Sequence, residues 1–256
     1  MEGKRVWMIR RIVAGIMVAV LVLGCGCAWA APQGKNDGYK FSINCANYET
    51  KKIAITIDDC YELDKVAAAV ELCNKYGVKV TFFPLGQMIQ PEDRELWQSV
   101  VDAGCEIGSH SFTHNRLYHL DARSLQRLVC RVQEALDAAL GYHYTIRNIR
   151  PPFGKIKEPD GKDTSTRVVN GLRKVGYEHV ILWNVSQTDP ELAMKQVKGG
   201  CIMLYHARNK DIRCLETIIP QLLEQGYELV TVCELLGFDP PEIGGECYVY
   251  DPKMYQ

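Results

Sequence analysis

Seven short apolar runs punctuate the chain, and helical patterning separates most of them. Lys52–Ile57 is rich in β-branched residues and reads as a strand. Leu63 to Tyr76 follows with Val66, Val70 and Cys73 at helical spacing, and Gly77 stops it. Val78–Phe83 is the next strand. Pro91–Ala103 reads as a helix, with proline in its first turn and Gly104 just beyond its end. Cys105–Ser109 is a short strand. Asp121–Leu140 is a long helix with Asp121 as N-cap and Gly141 as stop. Asn148–Pro151 is short and extended, Thr164–Val175 is helical, and Tyr177–Val185 is a strand. Cys201–Tyr205, a helix over Ile212–Gln225 and a last strand at Glu228–Val232 complete the body.

Near-continuous apolar strands that alternate with helices imply parallel strands buried on both faces. The expected class is therefore α/β, and a doubly wound sheet and a barrel fit the pattern equally. Residues 50–237 carry this alternation. Residues 31–49 and 238–256 read as loop-rich flanks, the second rich in Pro, Gly and Tyr.

The first thirty residues follow another rule. Lys4, Arg5, Arg10 and Arg11 precede an uncharged stretch from residue 12 to residue 30, which closes on Ala28-Trp29-Ala30. That is the layout of an export signal. Three fates compete: cleavage after Ala30, lipidation of Cys25 after the lipobox-like Val22-Leu23-Gly24, or retention as a short membrane anchor. Each places residues 31–256 outside the cytoplasm. The whole chain has 30 Lys+Arg against 31 Asp+Glu, a net charge of -1, so no polyanion-binding surface is expected and nucleic acid is not an expected partner. Nine of the 11 cysteines lie beyond residue 30, an odd number with no C-x-x-C among them. Cys73, Cys130 and Cys201 read as small buried hydrophobes, and no disulfide pattern is predicted. Nothing in the pattern specifies an oligomer.

The polar residues that interrupt the apolar runs follow strands. Asp58 and Asp59 follow the first, His110 and His114 follow the third, Arg150 ends the fourth, Asp189 lies just past the fifth and His206 follows the sixth. In parallel α/β folds, ligands gather at the carboxyl ends of strands. Adjacent carboxylates after a buried strand stay ionised only beside a cation. A solvated loop or helix cap explains Asp58-Asp59 taken alone, and a polar loop explains His110-x-x-x-His114 taken alone. Together, Asp59, His110 and His114 make two imidazoles and a carboxylate, a donor set that leaves positions for water and substrate. Zinc is the default metal, with cobalt, nickel and manganese as alternatives.

These residues carry a resemblance. Thr56-Ile57-Asp58-Asp59-Cys60 resembles the T-F-D-D-G motif of the polysaccharide deacetylases, the NodB-homology family also called carbohydrate esterase family 4. His110-Ser111-Phe112-Thr113-His114 matches its H-[ST]-x-x-H. Arg150-Pro151-Pro152-Phe153 is similar to its R-x-P-Y, Trp183 to Asp189 stands where its fourth motif belongs, and Leu204-Tyr205-His206 resembles its L-x-H. The order is that of the family, over about residues 50–237.

The resemblance implies a distorted (β/α) barrel of about seven parallel strands and a metal-dependent N-deacetylase of N-acetyl-hexosamine polymers. For an exported protein, peptidoglycan N-acetylglucosamine is the first expected substrate. Asp59, His110 and His114 would hold the metal. Asp58 would be the general base, and Arg150 would keep it ionised. The backbone N–H of Phe153, after Pro152, would help hold the oxyanion. His206 would be the general acid. Trp183 and Leu204 would seat the acetyl methyl, although plain core packing explains each alone.

Four departures from the family pattern stand out. Cys60 replaces a glycine, and its thiol is a further candidate ligand. Phe153 replaces tyrosine. Ser186 takes the place of the carboxylate that tunes the acid histidine, so either Asp189 substitutes for it or His206 is a weaker acid at neutral pH. Ala207 follows His206 where an acid is common. Two alternatives remain: a catalytically degenerate glycan-binding member of the fold, and a metal-dependent hydrolase of another C–N bond. His119, His143 and His179 read as structural. Tyr118, Tyr142 and Tyr144 read as packing or as sugar-stacking aromatics.

Overall fold

The computed structural model describes residues 41–156, 166–251 and 253. The expectations for residues 1–30, and for the start of the helix at Thr164, lie outside the described residues. Among the described residues no helix is long and apolar enough to cross a membrane.

All seven expected strands form, and a further one precedes them. In chain order they are β1 (Ser42–Ile43), β2 (Lys52–Asp59), β3 (Thr81–Pro84), β4 (Glu106–Ile107), β5 (Asn148–Ile149), β6 (His179–Ile181), β7 (Ile202–His206) and β8 (Glu228–Leu229). The helices are α1 (Leu63–Tyr76), α2 (Arg94–Asp102), α3 (Ala122–Leu140), α4 (Thr166–Lys174), α5 (Pro190–Gln196), α6 (Asn209–Glu224) and α7 (Val232–Leu236).

Every ladder between these strands is parallel. One sheet runs β4-β3-β2-β7, with β8 beside the start of β2, and the other runs β1-β6-β5. Two parallel bridges, Ser109 to Ile149 and Val185 to Met203, link the sheets at both ends. The wall therefore curls into a distorted barrel, and the doubly wound alternative is set aside. β2 is its central stave. Residues 53–59 are all buried, and Ile53, Ala54, Ile55 and Ile57 among them supply the apolar side chains that a strand covered on both faces requires.

The helices cover the outside. Asp121 caps α3 by accepting the Ser124 N–H at 2.8 Å, and Gly141 ends it at φ 80°. The expected helix over 91–103 is split. Pro91–Asp93 is a 3₁₀ turn, and the α-helix begins at Arg94. α5 and α7 were not expected, because seven and five residues are too few to display a helical period. Their caps were present in the sequence: Pro190 opens α5, and Thr231 with Glu234 forms a capping box on α7.

The described parts of the flanks are more ordered than expected. β1 pairs with β6, which extends the sheet to Ser42 and Ile43 in the first flank. The tail lies along the chain near residue 144. Thr145 N–H donates to the Glu242 carbonyl at 2.9 Å, and Ile243 bridges Tyr144. Asp137 latches the arrangement. Fully buried on α3, its carboxylate accepts the Tyr248 N–H at 2.7 Å, the Tyr144 N–H at 3.1 Å and Gln133 Nε2 at 2.7 Å, and it meets His143 Nδ1 at 2.6 Å. Asp137→Ala strands several buried donors, each worth about 1–3 kcal/mol. The expected loss is about 3–5 kcal/mol in urea unfolding; a loss under about 1 kcal/mol would refute the latch.

Candidate active site

The carboxyl ends of β2, β4, β5, β6 and β7 converge. The register pairs Asp58 on β2 with Phe83 on β3 and with His206 on β7. His110 follows β4, held by a bond from its N–H to the Pro84 carbonyl at 3.0 Å. Arg150 directly follows β5. Among the described residues, the non-glycine residues with positive φ are Asp59 (65°), Cys60 (60°), Ser111 (65°) and Phe153 (62°). All four sit on these strand-end loops. Left-handed backbone at a β-carbon-bearing residue costs roughly 1–2 kcal/mol. Strain of this kind collects where loop geometry serves a site.

Asp59, His110 and His114 come together as expected, each offering one ligand atom, all within 4.8 Å of one another. Asp59 Oδ1 lies 3.4 Å from His110 Nε2 and 3.5 Å from His114 Nε2. That oxygen is buried and has no hydrogen-bond partner, an arrangement that costs stability unless a cation completes it. His110 Nδ1 lies 2.7 Å from the Arg150 carbonyl, so Nδ1 carries the proton and Nε2 presents a lone pair toward Asp59. Burial and the neighbouring His110 hold the pKa of His114 below the ordinary histidine value, which keeps it neutral as a ligand must be. Burial pushes the Asp59 carboxyl up, but the neighbouring imidazoles, His110 first, outweigh it and hold it low. The donor set fits a divalent cation with open positions.

Asp58 and Arg150 form a buried pair. Arg150 is fully buried, and its Nη1 donates to Asp58 Oδ1 at 2.8 Å and to Thr56 Oγ1 at 2.5 Å. Nε and Nη2 donate to the carbonyls of Ile181 and Leu182, both at 3.1 Å. The guanidinium also lies 4.5 Å from the Phe83 ring and 5.7 Å from the Trp183 ring. Burial lowers the Arg150 pKa and Asp58 opposes that shift, so the guanidinium stays charged. One oxygen of Asp58 is thus committed to arginine. The other lies 3.9 Å from His110 Nε2, facing the metal-ligand group.

The partner of His206 is not the expected one. Asp189 is the N-cap of α5 and accepts the Leu192 N–H at 2.9 Å. The carboxylate facing His206 is Asp211, in the first turn of α6. It accepts the His206 N–H at 2.9 Å and lies 3.8 Å from His206 Nδ1, an ion-pair distance. Asp211, ahead of burial and of the charges of Asp58 and Asp59, sets the direction for His206, whose pKa is raised. A buried aspartate five residues after a strand-end histidine was the available sequence signal.

Pro152 is buried in a 3₁₀ turn, and Phe153 in that turn is 46% exposed with its ring 4.5 Å from His114. Trp183 packs over Gly154, where a β-carbon would lie 2.6 Å from the indole. Leu204 is paired with Thr56 in the sheet and stands two residues before His206, on the same strand face. Cys60 departs from its candidate role as a ligand. Its side chain is fully buried in the apolar core, and its thiol is directed to the Ile57 carbonyl at 4.0 Å. Tyr118 and Tyr144 are buried, Tyr144 accepting the Ile107 N–H at 2.9 Å, and Tyr142 bonds Gln98, so these tyrosines pack.

Two rim arginines went unread in the sequence. Arg208, 54% exposed, reaches Asp59 Oδ2 at 3.3 Å. Arg116 lies over the Phe153 ring at 4.4 Å.

The polysaccharide deacetylase family profile matches residues 46–180. Over 187 residues the chain is 25% identical to the peptidoglycan-N-acetylglucosamine deacetylase PgdA of Listeria monocytogenes, covering 73% of this chain and 39% of that one. It is 28% identical over 195 residues to the peptidoglycan-N-acetylmuramic acid deacetylase PdaC of Bacillus subtilis, covering 72% of this chain and 38% of that one. The chain spans well under half the length of these curated relatives. Among solved structures, a pseudoenzyme of carbohydrate esterase family 4 from Bacillus anthracis superposes with a TM-score of 0.66 at 25% identity, over 76% of this chain and 68% of that one. The barrel, the ordered strand-end motifs and the profile match agree: this chain belongs to the polysaccharide deacetylase family.

Proposed function

We propose that this protein is a metal-dependent deacetylase that hydrolyses the N-acetyl group of N-acetylglucosamine in peptidoglycan, outside the cytoplasm. The observation that carries the reading is the buried, unpartnered Asp59 Oδ1 between His110 and His114, beside the Asp58–Arg150 pair. Relatives that act on peptidoglycan support the substrate class, and the basic and apolar layout of residues 1–30 supports export.

An amide resists hydrolysis because its carbonyl is a poor electrophile and its nitrogen a poor leaving group. A divalent cation held by Asp59, His110 and His114, with zinc the first expectation, would supply Lewis acidity that acidifies water and polarises the acetyl carbonyl. Asp58 accepts the proton of the attacking water. Arg150 holds one Asp58 oxygen fixed and keeps the carboxylate ionised, so that the base is oriented before substrate arrives. The Phe153 N–H stabilises negative charge on the carbonyl oxygen. His206, on the strand beside Asp58, gives its proton to the departing amine. Trp183 and Leu204 border the acetyl methyl. None of the four departures removes a ligand, the base or the acid, which favours an active enzyme over a degenerate member.

A proton donor must stay protonated at working pH, and Asp211 keeps His206 so by raising its pKa. Asp211→Asn therefore lowers the pH at which activity declines on the alkaline side. A pH–rate profile should show that limb moved to lower pH with the acid limb unchanged; an unmoved alkaline limb would remove Asp211 from the role.

Arg208 and Arg116 favour a second reading for the same site. Cations at the rim suit an anionic sugar, and N-acetylmuramic acid carries a carboxylate. The test of both is acetate release from peptidoglycan and from N-acetylglucosamine oligomers with added zinc, followed by mass mapping of the deacetylated sugar. Release from the oligomers supports the first reading, and release confined to muramic residues supports the second. No release from either would sink the activity.

A further inference from the structure

On the opposite, amino-terminal side of the barrel, two chain segments are pressed together without any role in the chemistry. Residues 46–50 run against Gly199 and Gly200, just before β7. A β-carbon at Gly199 would lie 1.6 Å from the Thr50 carbonyl oxygen, and one at Gly200 would lie 2.4 Å from that of Asn47. Gly200 also has φ +79°. Only glycine admits this approach. The segments are tied by bonds from Ala46 N–H to the Gly200 carbonyl at 2.8 Å and from Gly200 N–H to the Lys52 carbonyl at 2.7 Å.

That contact sets Cys45 opposite Cys201 in an antiparallel bridge. The Ala46–Gly200 bond flanks the pair, so Cys45 and Cys201 occupy a non-hydrogen-bonded position. At such a position the Cα atoms stand about 4.5 Å apart with side chains on one face. A disulfide needs Cα atoms roughly 4.4–6.8 Å apart. The side-chain surroundings converge as well. Asn184 Nδ2 reaches Cys201 Sγ at 3.6 Å and the Tyr48 hydroxyl at 3.4 Å, and the Cys45 side chain is the first neighbour acting on that hydroxyl. Lys198 N–H donates to Cys201 Sγ at 3.3 Å, which fixes the sulfur. Cys45 is partly exposed and Cys201 is buried.

We propose that Cys45 and Cys201 form an intrachain disulfide in an oxidising environment, stapling the segment before β2 to the base of β7. The accessible Cys45 reacts first. Its thiolate attacks one sulfur of an external disulfide, such as oxidised glutathione or a disulfide-carrying oxidoreductase, and expels one thiolate. The Cys201 thiolate then attacks the Cys45 sulfur of the mixed disulfide and expels the second thiolate. Two cysteine thiols give up two electrons and two protons, and the external disulfide becomes two thiols. The closed loop runs from residue 45 to residue 201, long enough for the link to restrict the unfolded chain strongly. The staple lies away from Asp58 and His206, so it acts on stability and not on catalysis.

The test is peptide mapping of the full chain after equilibration with a glutathione redox buffer, without reductant. A Cys45–Cys201 linked peptide is expected. Reduction should lower the melting temperature by about 5–10 °C, and this drop should vanish in Cys45→Ser and in Cys201→Ala. Should the variant at buried Cys201 fail to fold, Cys45→Ser alone suffices for the comparison. Acetate release should be the same in the oxidised and reduced protein. Recovery of both cysteines as free thiols from the folded, fully oxidised sample would overturn the proposal. So would a link from Cys201 to any other cysteine, or an unchanged melting temperature in the presence of the linked peptide.

Discussion

Asp58→Asn is expected to lower kcat for deacetylation by about 10²–10⁴-fold, the usual contribution of a positioned base, while zinc still binds in a stoichiometric amount. Asparagine keeps the carbonyl oxygen that accepts from Arg150 Nη1 at 2.8 Å, so the local packing survives. It cannot take a proton from water. Asp58 is not one of the three clustered ligand groups, which is why metal content and rate should separate. A variant that retains kcat within tenfold would show that another group removes the proton. A variant that loses both rate and zinc would show that Asp58 is a ligand.

The second large effect is expected at Asp59. Asp59→Asn should abolish zinc-dependent activity, a loss of at least about 10³-fold, and leave the stability of the metal-free protein little changed. The two halves of the prediction have one cause. Asp59 Oδ1 is buried without a hydrogen-bond partner, a cost of about 1–3 kcal/mol, while His110 and the Arg208 contact at Oδ2 offset part of that cost for the charge. Asparagine also tolerates the left-handed backbone that Asp59 adopts at φ 65°. A residue kept for folding would show the reverse. Zinc should raise the melting temperature of the wild type through binding to the native state, by about 4 kcal/mol of stabilisation at a thousandfold excess over Kd, and should do little to the variant. A lower metal-free melting temperature in the variant, with the zinc response intact, would contradict the assignment.

Much of this site was legible because its chemistry interrupts apolar strands. Asp58, Asp59, His110, Arg150 and His206 each stand where a buried run ends, and a parallel barrel gathers such ends on one rim. The spacing of His110 and His114 held because the intervening loop folds back through Ser111 at φ 65°. The fold class was legible for a related reason: β2, buried along nearly its whole length, cannot be an amphipathic element. Asp189 was misplaced because a strand-end carboxylate and a helix N-cap look alike in sequence. Only the packed structure separates the aspartate that caps α5 from Asp211, which faces His206. β1 was invisible because two residues carry no period. Cys60 was legible as a departure from glycine, but not in its destination. Its burial is a matter of which side of β2 the left-handed turn sends the thiol, and local sequence does not encode that.

The metal site proposed at Asp59, His110 and His114 is tied to one reaction, and a single paired experiment probes that tie. The purified chain is stripped of metal and titrated with zinc, with bound zinc and acetate release from peptidoglycan measured in the same samples, beside His110→Ala. Acetate release should rise in proportion to occupancy of a single site, and His110→Ala should neither hold zinc nor release acetate. Acetate release by the metal-free protein, or undiminished release by His110→Ala, would contradict it.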